Sequence, residues 1–207
     1  ELRLNKVAAL GYASDELLAD ATAMSSIYIQ AFAEELTFLT EDGVFNGTGA
    51  GQLLGVIGHA ATVSVAKETG QAATSVVFAN IVKMWSRMWA RSRANAVWYI
   101  NQDIEPQLFQ LSLSVGTGGV PVYLPANGLS GSPYASLMGR SVIPTEYAAT
   151  LGTVGDITLA DFSQYGLLTK GGVNQASSMH VAFTTDEMAF RAIYRVDGQP
   201  LWRTVLP

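Results

Sequence analysis

The sequence predicts an α+β fold, and three observations carry that expectation. One helical stripe near the amino terminus runs to about twice the usual helix length. The last third is a succession of short alternating segments, and no regular strand–helix alternation joins the two regions.

Residues 1–13 (ELRLNKVAALGYA) alternate at Leu2 and Leu4 and then turn apolar, as a strand does. Ser14 followed by Asp15 and Glu16 starts a helix, with a hydroxyl to cap it and acids at its positive end. Leu17, Ala21, Met24, Tyr28, Phe32, Leu36 and Leu39 then advance by three or four, so one continuous helix is expected up to Asp42-Gly43. Roughly 28 residues at ~1.5 Å each make a rod of about 40 Å. A rod of that length must lie along a sheet or another subunit. Asn46-Gly47-Thr48-Gly49-Ala50-Gly51-Gln52 reads as a flexible loop, 62–66 as a strand and 67–74 as a linker. A second helix is expected over 75–91, with Val77, Ile81, Met84, Trp85, Met88 and Trp89 on one face and Lys83, Arg87 and Arg91 on another. A strand over 94–101 precedes a short helix begun by Asp103, where Pro106 falls in the tolerant first turn. Residues 115–135 read as a loop broken by a strand at 120–124. Strands are expected at 137–143, 156–161, 165–169, 175–183 and 188–196, with a turn at Asp197-Gly198.

The chain has 207 residues, 49% apolar and only 14% charged, with a mean hydropathy of +0.23. Average soluble domains carry about 25% charge. No apolar run approaches the ~18 residues of a membrane helix, so part of the apolar surface is expected to be buried against other chains. The net charge of −5 argues against a general nucleic-acid binder, and the absence of cysteine excludes disulfides, zinc–thiolate sites and cysteine nucleophiles. The start, Glu1-Leu2-Arg3-Leu4, has no signal-peptide pattern. Beginning without methionine and opening within a strand, the chain is expected to be a trimmed piece of a longer protein.

Catalytic chemistry finds no foothold. Gly47-Thr48-Gly49-Ala50-Gly51 follows a helix, whereas a dinucleotide loop leaves a strand, opens a helix and carries a third glycine at fixed spacing. Gly116-Thr117-Gly118-Gly119 matches less well still. His59 and His180 have no metal-ligand partner at helical or strand spacing. Glu34, Glu35, Glu41, Asp42, Asp103, Glu105, Asp186 and Glu187 fall at element ends or on a polar helix face, not in a buried acid–base pair. Ser130 misses the nucleophile-elbow spacing because Ser132 replaces the second glycine. The basic series Lys83, Arg87, Arg91 and Arg93 reads first as a solvated helix face. Its sharper readings are an ion-pair surface between subunits or a face turned toward nucleic acid. Asn46-Gly47-Thr48 matches a glycosylation sequon and is taken as chance. No catalytic residue, cofactor or metal is assigned.

Several segments nevertheless resemble a known family. Leu151-Gly-Thr-Val-Gly-Asp-Ile-Thr-Leu-Ala-Asp-Phe-Ser-Gln-Tyr, Ser177-Ser-Met-His-Val and Phe190-Arg-Ala-Ile-Tyr-Arg-Val-Asp-Gly-Gln-Pro-Leu-Trp look like the carboxy-terminal half of tailed-bacteriophage (prophage) major capsid proteins of the Hong Kong 97 type. Ser14-Asp-Glu-Leu-Leu-Ala-Asp, Asp42-Gly-Val-Phe-Asn-Gly-Thr-Gly-Ala-Gly and Ala94-Asn-Ala-Val-Trp-Tyr-Ile-Asn agree in order and spacing.

The resemblance implies a long spine helix, a peripheral sheet domain and an axial domain. It would divide the chain into 1–74 (peripheral, with the end of an extended hairpin), 75–174 (axial) and 175–207 (peripheral strands and return). It implies a structural subunit that assembles with copies of itself, as hexamers and pentamers, into an icosahedral shell around double-stranded DNA. A scaffold segment and a portal would be further partners, packaged DNA would be met only non-specifically, and no membrane is involved. The protein would be made in the bacterial host cytoplasm and reside in the virion. The family's amino-terminal arm and most of its hairpin would lie outside residues 1–207, and no hairpin lysine of the crosslinking kind can be matched. An encapsulin-like compartment shell is the alternative within the same fold, and an unrecognised α+β enzyme is the alternative of a different class.

Overall fold

A computed structural model describes residues 2–20, 24–115, 118–121 and 136–205. In chain order these form β1 (Asn5–Ser14), α1 (Asp15–Asp20), α2 (Met24–Asn46), α3 (Phe78–Arg87), β2 (Val97–Ile100), α4 (Glu105–Phe109), β3 (Ser112–Val115), β4 (Gly118–Pro121), β5 (Ser136–Leu137), β6 (Arg140–Pro144), β7 (Ile157–Ala160), β8 (Tyr165–Thr169), β9 (Asn174–Ala182) and β10 (Glu187–Pro200). The chain divides into two compact units, one of residues 1–56 and 166–200 and the other of 57–165 and 201–207. These seams lie at 56/57, 165/166 and 200/201, whereas the sequence reading draws its boundaries at 74/75 and 174/175.

The first unit is a sheet with a helix across one face. β10 pairs antiparallel with β1 over ten registered pairs, from Asn5↔Val196 to Ser14↔Glu187, and also bonds β9 and β8. Side chains alternate faces along a strand, so Val7, Ala9, Gly11 and Ala13 share the face covered by α2. Gly11 sits opposite Phe190. Tyr28 stacks on the Phe190 ring at 5.1 Å, and its hydroxyl donates to the Tyr12 carbonyl at 3.0 Å. A Cβ on Gly11 would meet Phe32 Cζ at 3.1 Å and Tyr28 Cε1 at 3.2 Å, so the glycine makes the notch that these rings fill. Ser14 caps α1 as its sequence position suggested, its hydroxyl accepting the Leu17 amide at 3.3 Å.

Several expectations are corrected here. The helix does not stop at Gly43: α2 continues to Asn46, and Gly43 is buried within it because a bare α-carbon lets Leu53 pack close. The expected stripe is only partly the packed face. Tyr28 and Phe32 are half-buried and Leu36 is 2% exposed, but Leu39 is 43% and Leu17 40% exposed. Ala21 lies outside the described residues. Asp197-Gly198 is no turn, since β10 runs on to Pro200. Asp197 is buried, accepting the Arg3 amide on Oδ2 and the Gly198 amide on Oδ1, while the Gly198 carbonyl accepts Leu54 N–H at 2.8 Å. These tertiary partners override the local turn preference of Asp-Gly.

The second unit has a sheet in the order β5-β6-β2-β7, with β2 parallel to β6 and antiparallel to β7. β3 and β4 form a separate antiparallel ribbon. Its core joins Ile81, Trp98, Ile100, Ile104, Leu108, Leu137 and Val142. Trp98 is fully buried, so its indole N–H needs a partner; it donates to the Leu137 carbonyl at 2.9 Å. α3 is shorter than expected and presents Ile81 inward, with Met84 and Trp85 flanking the core, as the helical face predicted. Pro106 takes the first turn of α4. The strand expected at 137–143 is a hairpin bent at Met138-Gly139, both with positive φ. The segment 62–66 joins no sheet. Residues 67–74 are no free linker: Gln71 and Gln107 tie Glu68, Thr74, Ser75 and Val76 together. Of the strand expected at 120–124, residues 122–124 fall outside the described residues.

Leu36 separates the observed packing face from the expected stripe. Leu36→Ala should cost about 2–5 kcal/mol, while Leu39→Ala should move stability by less than about 1 kcal/mol. Urea denaturation followed by circular dichroism checks both, and equal losses would show that α2 is packed through a different line.

Candidate functional site

Among the described residues the candidates for chemistry are dispersed, and several are held in local hydrogen bonds. In the glycine loop the Gly47 amide donates to the Gly43 carbonyl at 3.0 Å, Gly49 to Leu53 at 3.0 Å and Gly55 to Gly47 at 2.8 Å. A phosphate cradle needs such amides free and convergent. A Cβ at Gly47 would lie 2.2 Å from the Leu53 carbonyl oxygen, and one at Gly55 2.5 Å from that of Phe45. The glycines are there for close backbone crossing at the end of α2. Asn46 donates its side-chain amide to Asp42 at 2.8 Å.

His59 Nδ1 accepts the Ala61 amide at 3.1 Å, closing a local turn. His180 is exposed on β9. No group of three His, Cys, Asp or Glu suited to a metal ion occurs among the described residues. Glu34 accepts from Gln30 at 2.7 Å on the outer side of α2, and Glu35 and Glu41 are also exposed. Asp42 binds Asn46. Asp103 and Glu105 stand in the first turns of a 3-10 helix and of α4, where acids suit the helix dipole. Glu187 accepts from Thr185 at 3.0 Å. The Asp186 carbonyl accepts the Asp15 amide at 3.1 Å. Ser130 and Ser132 lie outside the described residues, as does the first half of the 116–119 loop.

The basic series is the main concentration of positive charge. Lys83 pairs with Glu68 at 2.6 Å. Arg91 lies over the Trp89 ring at 5.6 Å and Arg93 over Trp85 at 5.5 Å, while Trp89 meets Trp202 edge-on at 5.7 Å. Arg87 and Arg91 are exposed. Beside this series Asp161 accepts the Ser163 amide at 3.1 Å and a bond from the buried Ser92. Partial burial works to raise its pKa, but the bonds from Ser92 and Ser163 outweigh that and hold it below the ordinary aspartate value. Burial pushes the Tyr99 hydroxyl upward.

Apolar surface is the prominent feature among the described residues. In the first unit Leu10, Ile27, Leu167, Met179, Val181 and Phe183 are more than half exposed, Phe183 at 80%. The Met179 and Val181 positions share one side of the end of β9 by strand alternation, and Phe183 opens the turn that follows. Sequence reasoning anticipated excess apolarity but could not say which residues carry it, because alternation does not tell a covered sheet face from an open one.

A sequence model of the phage capsid family matches residues 1–202. No curated protein matches the chain. Among solved structures, the capsid of an empty GTA particle superposes with a TM-score of 0.76 at 19% identity, covering 95% of this chain and 69% of that one. A chain of Microbacterium phage Oxtober96 gives 0.66 at 15% identity, covering 97% of this chain and 67% of that one. A chain of Mycobacterium phage Adephagia gives 0.56 at 15%, covering 99% and 68%.

The Asp161 geometry has a pH consequence. A carboxyl with a lowered folded pKa contributes stability that is fully present above the unfolded value and is lost as pH falls through the folded one. The stability difference between the parent and Asp161→Asn should therefore shrink as pH falls below the ordinary carboxyl range. Urea midpoints measured from about pH 6 down to about pH 3 check this, and a difference independent of pH would remove Asp161 as the acid-sensitive group.

Proposed function

Since the chain belongs to the phage capsid family, we propose that it builds an icosahedral shell around double-stranded DNA through contacts between its own copies. It is a structural capsid subunit with the Hong Kong 97 type fold, and a component of the virion. The family match over residues 1–202 carries this reading. The exposed apolar side chains of both units support it, because a subunit that closes a shell buries in neighbours what a monomer would bury internally.

On this reading the unit of residues 1–56 and 166–200 is the peripheral domain and α2 its spine, while the unit of 57–165 and 201–207 is the axial domain gathered around capsomer axes. Hexamers and pentamers, a scaffold segment and a portal complete the proposed assembly, which takes place in the bacterial host cytoplasm. DNA is met without sequence preference. The protein has no turnover. The satisfied amides of the glycine loop favour that view over a nucleotide-using enzyme, and no observation favours an encapsulin-like compartment.

Expression of the full-length gene that includes these residues should yield closed particles of uniform diameter in negative-stain micrographs. Dispersed monomers under all assembly conditions would sink the shell reading. Esterase, phosphatase and nucleotide-hydrolysis assays should stay at background, and an activity abolished by Asp103→Ala would overturn the structural role.

A further inference from the structure

The charge along this chain is segregated. Residues 7–66 contain seven acids (Asp15, Glu16, Asp20, Glu34, Glu35, Glu41, Asp42) and no lysine or arginine, whereas 69–102 contain Lys83, Arg87, Arg91 and Arg93 and no acid. In the first unit this acidity lies partly on the outer side of α2. Leu36 and Gly43 are on its buried side, Gly43 against Leu53. On the opposite side Ile27, Ala31, Glu34, Phe38 and Glu41 recur at spacings of four, three, four and three, and all five are exposed. This is the spacing of a helix-packing seam, with apolar side chains and carboxylates in one line. Ile27 is 56% and Phe38 41% exposed.

In the second unit α3 has the matching chemistry. It buries Ile81 and exposes Val82, Ser86 and Arg87, and Arg91 follows on the exposed turn beyond. We propose that the outer seam of α2 is covered by the exposed face of α3 from a second copy of this chain, with Arg87 and Arg91 meeting Glu34 and Glu41. This rests on the shell-subunit reading and deepens it by naming one of the surfaces that join copies. The occupant is a second copy because the two faces complement each other in apolar character and in charge. Nucleic acid suits the basic face less well, since Arg91 and Arg93 lie over the Trp89 and Trp85 rings, which bases would need for stacking.

The chain contains no cysteine, so single introduced thiols report only the chosen contact. Ala31→Cys and Ser86→Cys, both at exposed positions, are mixed under mild oxidation near 150 mM salt. The mixed disulfide dimer should form at least about tenfold faster than either homodimer, and the added changes Glu34→Arg and Glu41→Arg in the first partner should abolish that excess. Adding Arg87→Glu and Arg91→Glu to the second partner should then restore it, with far-ultraviolet dichroism confirming that every variant is folded. A mixed-dimer rate equal to the homodimer rates, or one indifferent to charge reversal, overturns the docking. So does binding of a double-stranded DNA fragment that is lost in Arg87→Glu/Arg91→Glu while crosslinking persists. If the gene product forms particles but the mixed dimer stays at background, only the docking fails; if no particles form at all, the shell reading fails and takes the docking with it.

Discussion

Strand β10 is the constraint on which the first unit depends. It is hydrogen-bonded to β1 on one side and to β9 and β8 besides, and its residues Ala189, Phe190, Ala192, Val196 and Asp197 are buried. Pairing Ser14 with Glu187 closes a loop that contains residues 57–165 of the second unit. Loop closure of that span costs about 5 kcal/mol, so the ladder must be long and regular. Ten registered pairs with β1, the Asp197 carboxylate on the Arg3 amide and the Tyr28–Phe190 stack supply what holds it. Because the cost grows only with the logarithm of loop length, a second core can be inserted at little extra expense in stability.

The same residues explain what was legible in the sequence and what was not. Ser14, Pro106 and the Ile81 face act within a few residues, and each stands where local rules placed it. Gly43, Asp197-Gly198 and residues 62–66 were misread because their conformation is decided by partners distant in sequence or by the lack of one. Leu53 packs on Gly43, Arg3 and Leu54 engage the Asp197-Gly198 pair, and no strand offers 62–66 a ladder. Met138-Gly139 shows the converse limit, since a two-residue bend with positive φ hides easily inside an apolar run. The apolar side chains left exposed on α2 and β9 were not legible, because alternation and helical spacing do not say which face is covered.

The long helix shows why. Periodicity analysis looks for one apolar face and one polar face. α2 has an apolar line toward the sheet through Tyr28, Phe32 and Leu36, and a second line outward through Ile27, Ala31 and Phe38. Two opposed lines blur into a helix that looks weakly amphipathic. Each residue then fits a three-or-four spacing with several others, so Leu39 could be enrolled in a stripe to which it contributes little burial. Only the position of the sheet, fixed by β10, separates the inner line from the outer.

Low charge and its segregation then become parts of one physical account. A shell subunit must not associate through random apolar contact, yet it must expose apolar surface to associate at all. Placing carboxylates within the outer line of α2 makes that surface self-repelling when two such helices meet, because like charges desolvated together are costly. A basic face on the other unit relieves the repulsion only in a heterologous, head-to-tail contact. Contacts of that kind generate rings when the rotation closes. On the docking proposed above, the charge pattern selects ring-forming association over pairing of identical faces, with residues that add almost nothing to the stability of the folded chain.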